Sequence, residues 1–107
     1  MDINGAIHAE WGDIHSPRFT RSTLKPLQTT AVLMKANEKS YTLSDEEVAI
    51  ACASHSGEEA HTSVVQKWLN SIGLEESLLK CGPHRPIHAK TFRELLTQDI
   101  KPTEVHN

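Results

Sequence analysis

Serine and lysine stand three positions apart in Arg21-Ser22-Thr23-Leu24-Lys25-Pro26, and a hydroxyl-rich cluster follows at Ala51-Cys52-Ala53-Ser54-His55-Ser56-Gly57-Glu58. On a helix, residues spaced by three share one face. With a helix opening near Ser22, its positive N-terminal end bears on both side chains. A partly desolvated amine loses its preference for the charged form. Once neutral and within reach of a hydroxyl, it can take the proton and leave serine a usable nucleophile. That is acyl-transfer chemistry without a histidine base. The plainer reading is an N-capping Ser22 with a solvated Lys25, and so short a match does not choose between the two.

The second cluster interrupts an apolar helical pattern with small, hydroxyl-bearing residues. A break of this kind presents backbone N–H groups and side-chain donors that can hold a carboxylate or an amide oxygen. An ordinary helix–helix turn, with Ser56 as N-cap of the next helix, accounts for the same residues.

The elements that must position these clusters are mostly helical. Residues 22–36 predict a helix with apolar Leu24, Leu27, Ala31, Val32 and Met34. Its Pro26 falls in the first turn, where a missing N–H does least harm. Ser44-Asp45-Glu46-Glu47 is a capping box opening a short helix through Val48, Ile50 and Ala53. Another helix runs from about Glu58, with Val64, Val65, Trp68, Leu69 and Ile72 on one face and Gly73 as its C-cap. Shorter helices are expected at 74–80 and 91–98. Near the start, Asn4-Gly5 is a hairpin-turn dipeptide, and residues 6–11 read as a strand after it. The expected fold class is therefore α+β, mainly helical with an N-terminal strand or hairpin remnant.

Composition narrows the function classes. A chain of 107 residues makes one small domain, and an apolar content of 37% with only 5% aromatic residues is lean for an independent core. A net charge of -3 argues against nucleic acid and anionic membrane surfaces as partners. No apolar run approaches membrane-spanning length. Two cysteines and no charged-then-apolar leader suggest a reduced, cytoplasmic setting. Cys52 reads as a small core residue, and nothing calls for a disulfide to Cys81. Cys81, His84 and His88 have a ligand-like spacing, but a closed zinc site needs four donors, so no metal-binding residue is assigned.

Together these segments resemble the rhizobial-type asparaginases, the L-asparaginase II family. The matching strings are Arg21-Ser22-x-x-Lys25-Pro26, Ala49-Ile50-Ala51-Cys52-Ala53-Ser54-His55-Ser56-Gly57-Glu58, Cys81-Gly82-Pro83-His84-x-Pro86 and Pro102-Thr103-x-x-His106-Asn107. They stand in the family's order and spacing. The resemblance implies a hydrolase that converts L-asparagine to L-aspartate and ammonia through an acyl-enzyme on serine. It also implies an α+β fold distantly similar to serine β-lactamases and glutaminases. By motif, Ser22 would be the nucleophile, Lys25 its base and Ser54 part of a second serine–lysine pair. Arg21, His55, Ser56, Gly57 and Glu58 would lie at the substrate, with a homodimer as an option. The family's zinc site and second lysine lie in segments with no counterpart here. No cofactor is expected within these residues, and residues 1–107 are expected to be a single partial domain truncated at both ends.

Two other readings remain at this stage. A β-lactamase or penicillin-binding relative also uses S-x-x-K but needs a later K-T-G strand, from which Lys90-Thr91-Phe92 departs. A catalytically inactive remnant, or an interaction fragment, would keep the motifs without turnover. The family reading carries a geometric expectation. Ser22 should lie within a turn of a helix N-terminus, the Lys25 amine should point at its hydroxyl, and Ser54 should face the same cavity. The missing second lysine carries another, because groups that act as a unit fail together. The isolated chain is expected to release ammonia from L-asparagine no faster than its Ser22→Ala variant. Serine-dependent ammonia release by the purified chain contradicts this.

Overall fold

A serine ahead of a helix can take an amide proton that the first turn leaves without a partner. In the computed structural model, which describes residues 1–107, Ser44 Oγ accepts the Glu47 N–H at 3.2 Å. Glu47 Oε2 in turn accepts the Ser44 N–H at 2.7 Å. This capping box opens helix α2, Asp45–Cys52. The other α-helices are α1 (Lys25–Glu38), α3 (Glu59–Ser71) and α4 (Ala89–Thr97). Short 3₁₀ turns occupy Arg21–Leu24, Glu76–Leu78 and Glu104–His106.

Helix ends are as well specified as starts. After α3, Gly73 takes a φ of +68°, and the Leu74 and Gly73 amides turn back to Leu69 O and Asn70 O at 2.9 and 3.1 Å. This Schellman arrangement satisfies two orphan carbonyls. The same pair of bonds closes α1 and α4, with Ser40 and Asp99 in the left-handed position. A side chain is costly there, and a short polar one costs least.

Helix α1 packs on α2, and α2 on α3. Tyr41 fastens the α1–α2 connection to the end of α3: its hydroxyl donates to Glu47 Oε1 at 3.1 Å and pairs with Ser71 Oγ at 3.0 Å. Leu43, Leu69 and Val105 are the buried apolar side chains. The Glu104–His106 turn is held by Glu76, whose carboxylate accepts the Val105 N–H at 2.9 Å. Burial pushes that carboxyl up. Hydrogen bonds from Thr103 and the Val105 amide, with the His106 charge and the Glu104 amide, outweigh it and leave it below the usual range.

Two expectations are corrected. No strand forms, so the fold is helical rather than α+β, and residues 6–11 are exposed and irregular. The turn at Asn4-Gly5 does form, with Gly5 at φ +84°. However, the Asp2 carboxylate accepts the Asn4 and Ala6 amides, each at 2.9 Å. A side chain that takes these donors competes with a β ladder, and an isolated two-stranded hairpin is marginal in any case. The helix expected at 74–80 shrinks to the turn Glu76–Leu78, flanked by extended Glu75 and Leu79. Its Glu76 is engaged by Val105 rather than by its own helix.

No helix is long and apolar enough to cross a membrane. The radius of gyration is 17.6 Å, against about 13 Å for a compact chain of this length. Trp11, Phe19, Leu27 and Met34 lie open to solvent. So small a core predicts a broad thermal transition, with a van't Hoff enthalpy well under the ~60 kcal/mol of a compact domain of this size. A sharp two-state calorimetric melt from a dilute monomer contradicts this.

Candidate functional site

Pro26 has no N–H to give and occupies the first turn of α1, so the α-helix starts at Lys25. The preceding residues tighten into the 3₁₀ turn that carries Ser22. Arg21 enters that turn at φ +45°, a left-handed conformation that costs a residue with a Cβ and that tends to cluster at functional sites. No side chain caps α1. The Ser22 hydroxyl is thereby left for a partner elsewhere in the chain.

That partner is Ser54. Its hydroxyl donates to Ser22 Oγ at 2.7 Å, across thirty-two positions of sequence. Lys25 meets the same residue from the other side, donating to Ala53 O at 2.5 Å and to Ser54 Oγ at 3.5 Å. The expected direct bond from the amine to Ser22 is not made; the order is Lys25, Ser54, Ser22. The reason lies at the end of α2. Carbonyls of a last turn lack helical partners and carry partial negative charge, so they draw a cation. Neither plain alternative describes what is seen: Ser22 caps no helix, and the Lys25 amine is bonded to protein on a half-buried side chain.

Lys25 and Ala53 line a mostly apolar cavity of about 430 Å³, with His55, Trp68, Leu69 and Leu79. The two serines do not line it, and both are exposed. They sit outside the cavity that was expected to receive them. A second groove of about 400 Å³, between α3 and α4, is polar and holds none of the three.

The loop at residues 54–57 joins α2 to α3 and turns on Gly57, which is buried at φ +78°. A Cβ there would stand 3.1 Å from His106 O and from both Pro86 Cα and Cβ. Only glycine meets both demands. The Ser56 carbonyl accepts the His88 N–H at 3.1 Å, so the loop also docks the start of α4. Ser56 is not the N-cap of α3. That position is Glu58, whose Oε2 accepts the Ser56 hydroxyl at 2.8 Å. The bond from Ser56 holds the Glu58 carboxyl below its usual range, helped by His88 and His61 against slight burial. Glu58 oxygens lie 3.8 Å from His61 Nδ1 and 3.7 Å from His88 Nδ1. The Gly57 N–H, expected to face a cavity, donates instead to His55 Nδ1 at 3.2 Å. Burial pushes the His55 imidazole below its ordinary value, and the charges of His61, Lys25 and His106 push it further.

The structure therefore joins Ser22, Lys25 and Ser54 in one chain of contacts, with His55, Ser56, Gly57 and Glu58 in the adjoining loop. Arg21 is exposed beside Ser22. Two participants escaped the sequence reading. The Ala53 carbonyl has no side-chain signal. His61 had one: it lies three positions after Glu58, on the same face of a helix start.

No three His, Cys, Asp or Glu side chains are grouped closely enough to hold a metal ion. Both cysteines are free thiols. Cys81 Sγ contacts Glu104 O at 3.6 Å, and His84 Nδ1 pairs with Arg85 O at 2.7 Å.

The family model described as L-asparaginase II matches residues 1–107. A search of the curated proteins finds no match. The loop geometry carries its own test. Gly57→Ala combines a left-handed Cβ with contacts to two backbone segments, and is expected to destabilise the chain by about 2 kcal/mol or more. Unchanged urea midpoints for the two forms would contradict that close approach.

Proposed function

The chain belongs to the L-asparaginase II family, and from that premise we propose that Ser22, Lys25 and Ser54 carry the acyl-transfer step of L-asparagine hydrolysis. The 2.7 Å contact between the two hydroxyls, with the Lys25 amine next to the second, supports this reading above all. A capping serine points its oxygen at its own helix amides. Here the two oxygens point at each other.

Ser22 Oγ attacks the side-chain amide carbon of asparagine. Its proton passes to Ser54 Oγ, and the Ser54 proton passes to the Lys25 amine. A hydroxyl both donates and accepts, so Ser54 can relay without changing its own charge. The proton then returns to the leaving nitrogen, and ammonia departs, leaving a β-aspartyl ester on Ser22. Water attacks that ester by the same route in reverse and releases aspartate. In this reading Arg21 meets the substrate α-carboxylate, for which a guanidinium is a fitting partner. The Glu58 carboxylate, with His55, Ser56 and Gly57, offers a counter-charge for its α-ammonium. Free thiols at Cys52 and Cys81 agree with a cytoplasmic setting.

A second reading, an inactive remnant, draws on the exposure of both serines and on the Gly57 amide being taken by His55. An activated substrate separates the two, because it asks only for the first step. Incubated with a nitrophenyl β-ester of L-aspartate, the chain should gain a β-aspartyl group on the peptide that contains Ser22. Ser22→Ala should abolish the adduct, and Lys25→Met and Ser54→Ala should slow it about a hundredfold. An adduct on another residue, or one indifferent to Lys25→Met, sinks the serine–lysine assignment. No adduct at all favours the remnant.

A further inference from the structure

His61 belongs to none of the matching strings, yet it stands behind the loop that carries Ser54. Its ring stacks on His55 with centroids 5.5 Å apart and planes inclined by 27°. Its Nδ1 is buried and has no hydrogen-bond partner, with Glu58 Oε2 at 3.8 Å, beyond bonding distance. Resting on the hydrolase reading above, we propose that His61 is a positioning residue. It keeps His55 in the neutral form whose Nδ1 accepts the Gly57 N–H, and so fixes the loop that sets Ser54 between Ser22 and Lys25.

The argument begins at His55. A doubly protonated imidazole has no lone pair to offer. Protonating His55 would turn its Nδ1–H against the Gly57 N–H that now points at it from 3.2 Å. The loop could not keep its shape. Gly57 has little space around it, since a Cβ there would already stand 3.1 Å from Pro86 and from His106 O. His55 must therefore stay neutral for the loop to hold.

What keeps it neutral is the company it has. Of two stacked imidazoles only one readily carries a proton, since like charges at this separation repel. The surroundings of the pair decide which one. Glu58, from the loop, lies beside His61 and offers a negative partner. Glu46 of α2 and the same histidine both line a groove of about 280 Å³. From the N-cap of α4, His88 shares Glu58, and its Nδ1 pairs with Thr91 Oγ1 at 2.9 Å. On the His55 side stands the Lys25 ammonium of α1 instead, with His106 of the last 3₁₀ turn, whose Nδ1 accepts the Thr103 N–H at 3.0 Å. A charge entering the pair therefore meets a carboxylate on the His61 side and an ammonium on the His55 side. The low titration of His55, caused by burial first and by His61 next, accords with this placement.

The test reads His55 by NMR and the serine by acylation. In the unaltered chain, ¹⁵N shifts should show neutral His55 protonated on Nε2, with a midpoint below that of an exposed histidine. His61→Phe keeps a stacked ring but cannot carry charge. There the His55 midpoint should rise by roughly half a pH unit or more. The acid limb of Ser22 acylation by the nitrophenyl β-ester should move up with it. A merely structural role for His61 would change the amount of acylation and leave its pH profile where it was. If His61→Phe fails to fold, the unaltered chain still decides, because the His55 shift should then show two inflections with pH rather than one. An unmoved His55 midpoint in His61→Phe, or neutral His55 carrying its proton on Nδ1, overturns the proposal. A chain that the ester never acylates counts against the hydrolase reading, whereas the His55 titration alone decides the part assigned to His61.

Discussion

The close approach at Gly57 is the constraint on which the other contacts depend. A left-handed residue without a side chain lets the α2–α3 loop turn inward until Pro86 and His106 O lie against it. That single approach brings the start of α4 to Ser56 and the last 3₁₀ turn to α3. It also aims the loop so that Ser54 leaves α2 toward Ser22. A chain that buries only Leu43, Leu69 and Val105 among its large apolar side chains cannot rely on a core for such alignment. Backbone shape does that work here, supported by polar contacts at helix ends.

The ends of helices supply most of those contacts. Ser44 and Glu47 close one start, Gly73 and Leu74 close one finish, and Tyr41 spans from Glu47 to Ser71. The serine pair follows the same rule: Ser22 precedes α1, Ser54 follows α2, and Lys25 reaches from one to the other. Orphan groups at helix termini need partners. In this chain, chemistry-bearing side chains are among the partners found.

What could be read from the sequence divides along the same line. The capping box at Ser44, the Gly73 terminus and the helix around Trp68 each depend on neighbours a few residues away, and each appears. The hairpin needed a partner strand, and the Asp2 carboxylate took the amides that such a strand would have used. The helix expected around residue 77 gave way to a bond between Glu76 and Val105, twenty-nine positions distant, which no local pattern announces. At the site, Ser22, Lys25 and Ser54 were legible as residue types. The order of their contacts was not, because it rests on the Ala53 carbonyl, a backbone group any residue would have supplied. His61 was legible in part, as the helical neighbour of Glu58, but its stacking on His55 is a tertiary fact.

The position of Lys25 carries a tension that follows from this geometry. An ammonium has three protons and can serve Ala53 O and Ser54 Oγ at once, tying α1 to α2. A base that takes a proton from Ser54 must first have a lone pair turned toward that hydroxyl. The amine still has protons to spare for Ala53 O, so the tether to α2 survives in the neutral form. The Lys25–Ser54 contact reverses direction, and the Ser54–Ser22 bond reverses with it. The carbonyl bond thus holds the nitrogen in place while its other valence changes role. The shorter of the two contacts is the one that does not need to change. A lysine anchored only by serine would lose its place on giving up its proton. Anchored by a helix-end carbonyl, it keeps its position in the base role proposed for it.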